Sequence, residues 1–292
     1  MKILVTGGAG YIGSVLVSEL LRENHAVRVL DNLMQCPDSL KSIWQNTHFG
    51  FIHGDVSNRD DLRAALTESE TVVHLAALRQ KECGDSERAW TVNYYSTLNL
   101  ANLCVEHDIK LIFASSCSIY GVSNELAIEE TVPLPISTYA RTKVCAEKPV
   151  LEAGGVVLRF ATAYGGSPCM RKDLIVHQFL SDAMRGKIVI YDPDACRAIV
   201  HVKDIARAIL LSVQTDLRGQ IFNIGGGNYS KGEMARIICK HLPKTMVEEV
   251  LQGDVRDYRV SFEKAHNVLG FVPRHDLDKW VEETCRFLKH GD

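Results

Sequence analysis

The first thirteen residues leave this chain few folds to choose from. Lys2-Ile3-Leu4-Val5-Thr6 is a largely apolar run that stops at Gly7-Gly8-Ala9-Gly10, and an apolar helical pattern through Val15, Leu16, Leu20 and Leu21 follows. That is a strand, a tight turn and a helix. Gly8, Gly10 and Gly13 meet the G-x-G-x-x-G spacing, in which one glycine permits the turn, one lets backbone approach a pyrophosphate and one lets the helix sit close on its strand. A helix N-terminus offers free N–H groups and a positive dipole end to phosphates. A second strand, Ala26-Val27-Arg28-Val29-Leu30, ends in Asp31, at the offset of about 20 residues where an acid meets a cofactor ribose. The pattern predicts a dinucleotide-binding α/β fold.

The rest of the chain keeps to that plan. Strand patterns at 2–6, 26–31, 50–54, 71–75, 109–115 and 154–160 alternate with helical ones near 12–23, 59–67, 86–107 and 137–152. Such alternation predicts a Rossmann-type doubly wound parallel sheet. After about residue 162 the rhythm loosens: a Gly165-Gly166-Ser167-Pro168 loop, helices at 174–185, 201–213, 231–241 and 276–289, and a short strand at 188–191. The expected division is a dinucleotide-binding domain at 1–162, with 198–224 returning to it. A smaller C-terminal α/β substrate domain then comprises 163–197 and 225–292, over the carboxyl ends of the strands.

Composition narrows the partners. With 46% hydrophobic and 24% charged residues the 292-residue chain reads as globular, and a net charge of −3 argues against nucleic acid. Nine cysteines without a C-x-x-C pair speak against a disulfide framework or a metal site, and are expected as mostly buried thiols in a reducing compartment. With no signal peptide and no membrane-length apolar run, the expected location is the cytoplasm.

Chemistry concentrates in Ser115-Ser116-Cys117-Ser118-Ile119-Tyr120-Gly121 and Tyr139-Ala140-Arg141-Thr142-Lys143. Tyr139 and Lys143 share one face of a predicted helix. A nearby ammonium and an oxidised nicotinamide both favour a phenolate, so Tyr139 is the candidate base for a sugar hydroxyl.

In sequence order, Thr6-Gly7-Gly8-Ala9-Gly10-Tyr11-Ile12-Gly13, Asp31-Asn32, Gly54-Asp55-Val56, Leu75-Ala76-Ala77, Ser115–Gly121 and Tyr-x-x-x-Lys resemble the extended short-chain dehydrogenase/reductase superfamily. The chain is similar, nearly end to end, to its nucleotide-sugar epimerase/dehydratase branch. Arg197-Ala198-Ile199-Val200-His201-Val202-Lys203-Asp204 and Phe222-Asn223-Ile224-Gly225 resemble later segments of that branch. The resemblance implies NAD as cofactor, a nucleoside-diphosphate sugar as substrate and a homodimer through the helices near 90–107 and 137–152. It implies Ser116, Tyr139 and Lys143 as catalytic residues. Gly7, Gly10, Tyr11, Ile12, Gly13, Asp31, Asn32, Asp55, Val56, Leu75, Ala76, Ala77 and Asn93 would hold the cofactor, with Tyr139 and Lys143. Ser116, Thr162, Arg197, Arg256 and Tyr258 would meet substrate, Arg197 as a diphosphate clamp and Tyr258 as a gate beside sugar C2.

Three departures stand out. Thr162 replaces the branch's usual Asn, Leu251-Gln252 stand where a second substrate Arg often precedes Gly-Asp, with Arg256 as the substitute, and the 78–90 stretch is unusually charged. That stretch either lines the sugar pocket or, as the preferred expectation, is a solvated helix start. Cys117 and Ser118 occupy the positions where 4,6-dehydratases carry acids, so elimination is not expected. Activities that fit are a 4-epimerase working through a transient 4-keto sugar, or an NDP-sugar C4 dehydrogenase or 4-keto reductase. A non-catalytic NAD sensor is disfavoured by the retained Ser116, Tyr139 and Lys143.

Overall fold

A computed structural model describes residues 1–253 and 257–290. Its first strands are β1 (Lys2–Thr6), β2 (Ala26–Asp31), β3 (Phe49–His53), β4 (Thr71–His74), β5 (Lys110–Ser116) and β6 (Val122–Ala127). They are followed by β7 (Val156–Phe160), β8 (Thr162–Tyr164), β9 (Lys187–Tyr191), β10 (Cys196–His201), β11 (Ile221–Ile224), β12 (Gly227–Ser230), β13 (Met246–Val250) and β14 (Asp257–Val260). The helices are α1 (Tyr11–Arg22), α2 (Arg59–Leu66), α3 (Ser86–Trp90), α4 (Ser96–Glu106) and α5 (Thr138–Glu152). Then come α6 (Ile175–Met184), α7 (Val202–Gln214), α8 (Lys231–His241), α9 (Glu263–Leu269) and α10 (Leu277–His290).

Seven parallel strands form the main sheet in the order β11-β7-β5-β4-β1-β2-β3. Strands covered on both faces need nearly continuous apolar runs, and β7 is buried at every position. One face is covered by α1 and α7 through Leu16, Leu20, Ile205 and Ile209. The other is covered by α2, α4 and α5 through Leu62, Leu100, Leu103 and Val150. Strand order reverses direction between β1 and β4, the switch point where open sheets bind ligands beyond their strand ends. At one edge of the sheet β11 pairs in parallel with β7, while β10 pairs with β8 and β12 in a separate three-stranded sheet. Beyond the sheet, α6, β9, α8 and α10 share a further apolar cluster around Val176, Leu180, Ile188, Met234, Ile238 and Val281.

Two sequence expectations change here. The helix expected across 86–107 contains a π-helical segment, Thr91–Tyr95. Such wide turns reorient single side chains, and this one carries the buried Asn93. The cysteines are not all thiols: Cys36 and Cys169 form a disulfide with Cα atoms 5.6 Å apart. Five of the remaining seven are buried thiols, while Cys145 is exposed and Cys239 half-buried. No helix among the described residues is long and apolar enough to cross a membrane.

Buried polar groups fasten α5 to the sheet. Glu147 accepts hydrogen bonds from Arg159 Nε at 3.0 Å and a terminal guanidinium nitrogen at 2.7 Å, and from the Ser115 hydroxyl at 2.5 Å. Arg159 also donates to the Tyr120 oxygen and the Glu129 carbonyl, both at 2.8 Å. Losing one partner of such a pair strands the other charge in the interior.

Two buried histidines make the fold acid-sensitive. His74 sits between the hydroxyls of Thr6 and Thr97 at 2.6 and 3.0 Å. Burial, reinforced by the Lys143 charge, lowers its pKa to about 3. Burial and the stacked His275 do the same to His201, also to about 3. An unfolded histidine titrates near 6.5, so between the two values the unfolded chain binds more protons. This stabilisation is complete above about pH 6.5 and is lost as pH falls toward 3, with a slope on the order of 2.7 kcal/mol per pH unit for two sites. Urea melts at pH 7.5 and 5 should differ accordingly, and a His74→Asn variant should show a shallower dependence. Equal midpoints at both pH values would contradict this account.

Candidate active site

A cavity of about 1030 Å³ runs across the carboxyl ends of the strands. The glycine turn forms one wall. Gly7 has φ +70°, and a Cβ there would stand 2.7 Å from the Ala76 nitrogen after β4. At Gly13 a Cβ would lie 2.3 Å from the Gly7 carbonyl oxygen, so α1 can lie this close to β1 only without a side chain. Gly10 is the N-cap of α1 and has no side-chain cap, which leaves the first turn's N–H groups to meet an anion. The positive-φ position is thus Gly7, while Gly8 is confined by Val29, 2.6 Å from where its Cβ would be.

Next along the wall, Asp31 accepts hydrogen bonds from the Ala9 N–H at 2.9 Å and the Leu33 N–H at 2.8 Å. Asn32 donates to Asp55 at 2.9 Å. Burial works against the Asp55 charge, but bonds from the Ser57 N–H, the Ser57 hydroxyl and Asn32 outweigh it and hold its pKa below the usual value. Tyr11, Ile12, Val56, Leu75, Ala76 and Ala77 complete the surface. Asn93 does not line the cavity. It accepts from the Leu78 N–H at 2.7 Å and donates to the Leu78 carbonyl and the Thr142 hydroxyl, holding the loop after β4 against α5.

At the centre, Ser116, Tyr139 and Lys143 meet. The Ser116 hydroxyl donates to Ser118 at 2.9 Å. Lys143 donates to the Ala114 carbonyl at 2.7 Å and lies 4.6 Å from the Phe113 ring centroid and 5.9 Å from that of Tyr139. Burial lowers the Lys143 pKa to about 8, against the pull of the Glu147 carboxylate. Burial pushes Tyr139 up to about 12, opposed by the Arg171 guanidinium and a hydrogen bond with Ser116. Arg171 thus joins Lys143, the cation the sequence pointed to, in placing positive charge near the phenol. Tyr139, Lys143 and Glu147 form one stripe along α5, and only its first two members were recognised in the sequence. Cys117 is buried, its thiol raised in pKa by burial and bonded to the Arg159 carbonyl.

Thr162, Arg197 and Tyr258 line the far end of the cavity, with the Arg197 guanidinium 6.0 Å from the Tyr258 ring centroid. Arg256 lies outside the described residues. The charged stretch after β4 corrects an expectation: Asp85 and Glu87 are exposed, but Arg79, Lys81, Glu82 and Arg88 line the cavity. Arg79 is paired with Glu82 at 2.6 Å, and Arg171 with Asp173 at 2.8 Å. These four residues were missed as a group because they come from two distant loops.

A family model described as the NAD dependent epimerase/dehydratase family matches residues 3–225. The chain belongs to that family. A UDP-glucose 4-epimerase from Halalkalibacterium halodurans is 31% identical, over 100% of this chain and 97% of that protein. Among solved structures, UDP-glucuronic acid 4-epimerase from Bacillus cereus, in complex with UDP-glucuronic acid and NAD, is 26% identical with a TM-score of 0.88 over 100% of both chains. The dTDP-glucose 4,6-dehydratase of Bacillus anthracis in complex with NAD is 28% identical with a TM-score of 0.88, over 99% of this chain and 97% of that one. This family member is an NAD-dependent enzyme, and its glycine turn, uncapped α1 and Asp31 fit the dinucleotide.

Asp31 lines the cavity beside the glycine turn. Asn32-Leu33-Met34-Gln35 contains no Lys or Arg, and the cation that reaches this stretch, Arg88 at 3.5 Å from the Met34 sulfur, acts on Asp55 as well. NAD should bind roughly 100-fold more tightly than NADP, the size of a few kcal/mol of like-charge contact. Calorimetric titration of cofactor-free protein with each dinucleotide measures the ratio, and equal affinities would refute the assignment.

Proposed function

We propose that this protein is an NAD-dependent nucleotide-sugar 4-epimerase acting through a 4-keto sugar. The observation that supports this best is the meeting of Ser116, Tyr139 and Lys143 in the middle of one cavity, with the dinucleotide turn at one end and Arg197 at the other. When bound, NAD supplies the acceptor and then the donor of hydride at sugar C4. The chain handles the proton. Tyr139 as phenolate takes it from the C4 hydroxyl and gives it back, and Ser116 orients that oxygen by hydrogen bonding. Lys143 and Arg171 place positive charge around the phenol. Arg197 meets the diphosphate, and Tyr258, on β14, limits the space beside C2.

In this reading residues 1–162 and 198–224 bind the cofactor, while 163–197 and 225–292 bind the sugar nucleotide, and two copies pair through α4 and α5. Names of the relatives fit UDP-glucose and UDP-glucuronate as first substrates to try. Incubation of each with the purified enzyme, followed by proton NMR of the anomeric region, should show the C4 epimer without net NADH. A 4-keto-6-deoxy product is not expected, because Cys117 is packed away and Ser118 is too weak an acid to expel the C6 hydroxyl as water. Stoichiometric NADH would instead establish a C4 dehydrogenase, and a 4-keto-6-deoxy product would overturn the assignment of roles at Ser116–Ser118.

A further inference from the structure

The Cys36–Cys169 disulfide takes no part in the proposed chemistry, yet it stands beside the cofactor half of the cavity. Cys36 follows Asp31, Asn32, Met34 and Gln35, all of which line the cavity, and Cys169 lines it from the loop after β8. Both loops are also fastened to the glycine turn. On one side Asp31 accepts the Ala9 N–H at 2.9 Å, and the Ser39 hydroxyl donates to the Ala9 carbonyl at 2.7 Å. On the other side the Tyr11 hydroxyl donates to the Gly165 carbonyl and the Ser167 hydroxyl donates to the Tyr11 carbonyl, each at 2.7 Å. A second, polar connection joins the same two loops. Gln35 donates to Glu82 at 2.6 Å, Glu82 pairs with Arg79 at 2.6 Å, and Arg79 lies 4.0 Å from Asp173.

Hydrogen bonds and ion pairs at a partly exposed rim break and re-form readily. The S–S bond does not. While it is intact, the loop that carries the ribose-binding Asp31 stays tied to the loop facing it. We propose that Cys36–Cys169 is a thiol–disulfide exchange site that latches the dinucleotide in place, with a small dithiol as its co-substrate. Cys36 is the more accessible sulfur and Cys169 is buried, so attack falls on Cys36 and Cys169 departs as the thiolate. The second thiol of the reagent then displaces Cys36. Two electrons and two protons pass to the protein, which gains two thiols, and the reagent becomes its own cyclic disulfide. In its consequence for turnover the proposal rests on the epimerase reading: a cofactor that must return the same hydride gains from being held, whereas a dehydrogenase must release it.

The test measures cofactor exchange and needs no sugar. Oxidised protein loaded with NAD is mixed with excess fluorescent etheno-NAD, and NAD release is followed with and without dithiothreitol. Release should be at least about tenfold faster after reduction, a barrier change of about 1.4 kcal/mol. Cys36→Ser and Cys169→Ser should exchange at the fast rate in either condition, and Cys145→Ser, at the exposed thiol, should behave as the parent. Alkylation and mass mapping of the parent should find Cys36 and Cys169 protected before reduction and modified after it. Equal release rates in the two redox states, or free Cys36 and Cys169 in the oxidised protein, would overturn the latch. So would acceleration by dithiothreitol that persists in Cys36→Ser. If the serine variants do not fold, the parent's two redox states decide the matter alone. Absence of epimerase activity leaves the exchange result readable, and a failed latch leaves the epimerase reading standing.

Discussion

Tyr139→Phe should yield a folded protein that still binds NAD but turns over its nucleotide sugar about 1000-fold more slowly. Only the phenolic oxygen is removed. The ring keeps its place on α5 against the small cluster of Leu78, Cys83 and Ala89, and the stripe behind it, Lys143 and Glu147, keeps its own bonds to the Ala114 carbonyl and to Arg159. General-base assistance by a positioned side chain is worth about 100- to 10,000-fold, and here the loss should fall on kcat with little change in KM. Steady-state kinetics beside an NAD titration separate the two effects. The rate should also rise with pH, because Tyr139 is pushed up to about 12 before any cofactor charge acts on it. Near-normal turnover by the variant would move the base elsewhere.

Gly13→Ala should be the most damaging single-atom addition at the cofactor wall. Its Cβ would meet backbone on two sides, the Gly7 oxygen at 2.3 Å and the Gly8 Cα at 2.6 Å, and neither can turn aside as a side-chain tip would. Relieving that overlap requires α1 to lift from β1 or the glycine turn to shift, and either spoils the N–H array that faces a pyrophosphate. Overpacking of this kind costs about 1–3 kcal/mol or more, so NAD affinity should fall by roughly 100-fold. Gly50→Ala, where a Cβ would meet nothing within 4 Å, is the matched control. Unchanged NAD binding by Gly13→Ala would mean that the turn adjusts more freely than its contacts imply.

Much of this was legible in the sequence because parallel buried strands and their crossover helices write strong periodic patterns. Strands β1, β2, β3, β4, β5 and β7 lie within a residue or two of the expected spans, and the expected helices 174–185, 231–241 and 276–289 correspond to α6, α8 and α10. Strands β6, β8, β10, β11, β12, β13 and β14 were not seen. All but β11 pair in sheets of two or three, and β12 and β13 lie at partly exposed positions where no continuous apolar run is required, whereas β10 is short but buried throughout. At the site, the residues on continuous motifs were found: the glycine turn, Asp31, Ser116, Tyr139 and Lys143 all line one cavity. What escaped notice was assembled from distant loops. Arg171 and Tyr139 line one cavity from distant segments, and Cys36 meets Cys169 over 133 residues of sequence, a separation that no local spacing rule can read. Asn93 was assigned to the cofactor, yet its bonds go to Leu78 and Thr142 because the π-helical segment turns it inward.

The sheet order carries a consequence for how the protein must be made. β1 leaves the ribosome before both of the strands that flank it, β2 and β4. The glycine turn that follows it is buttressed by Ala76 and tied through Tyr11 to Gly165. A nascent chain that ends before residue 165 therefore lacks the Gly165 tie to that turn, and the edge strand β11 comes later still. Ribosome-arrested chains of increasing length should acquire NAD-dependent protease resistance only after the segment around Cys169 has emerged, long after the glycine turn was synthesised.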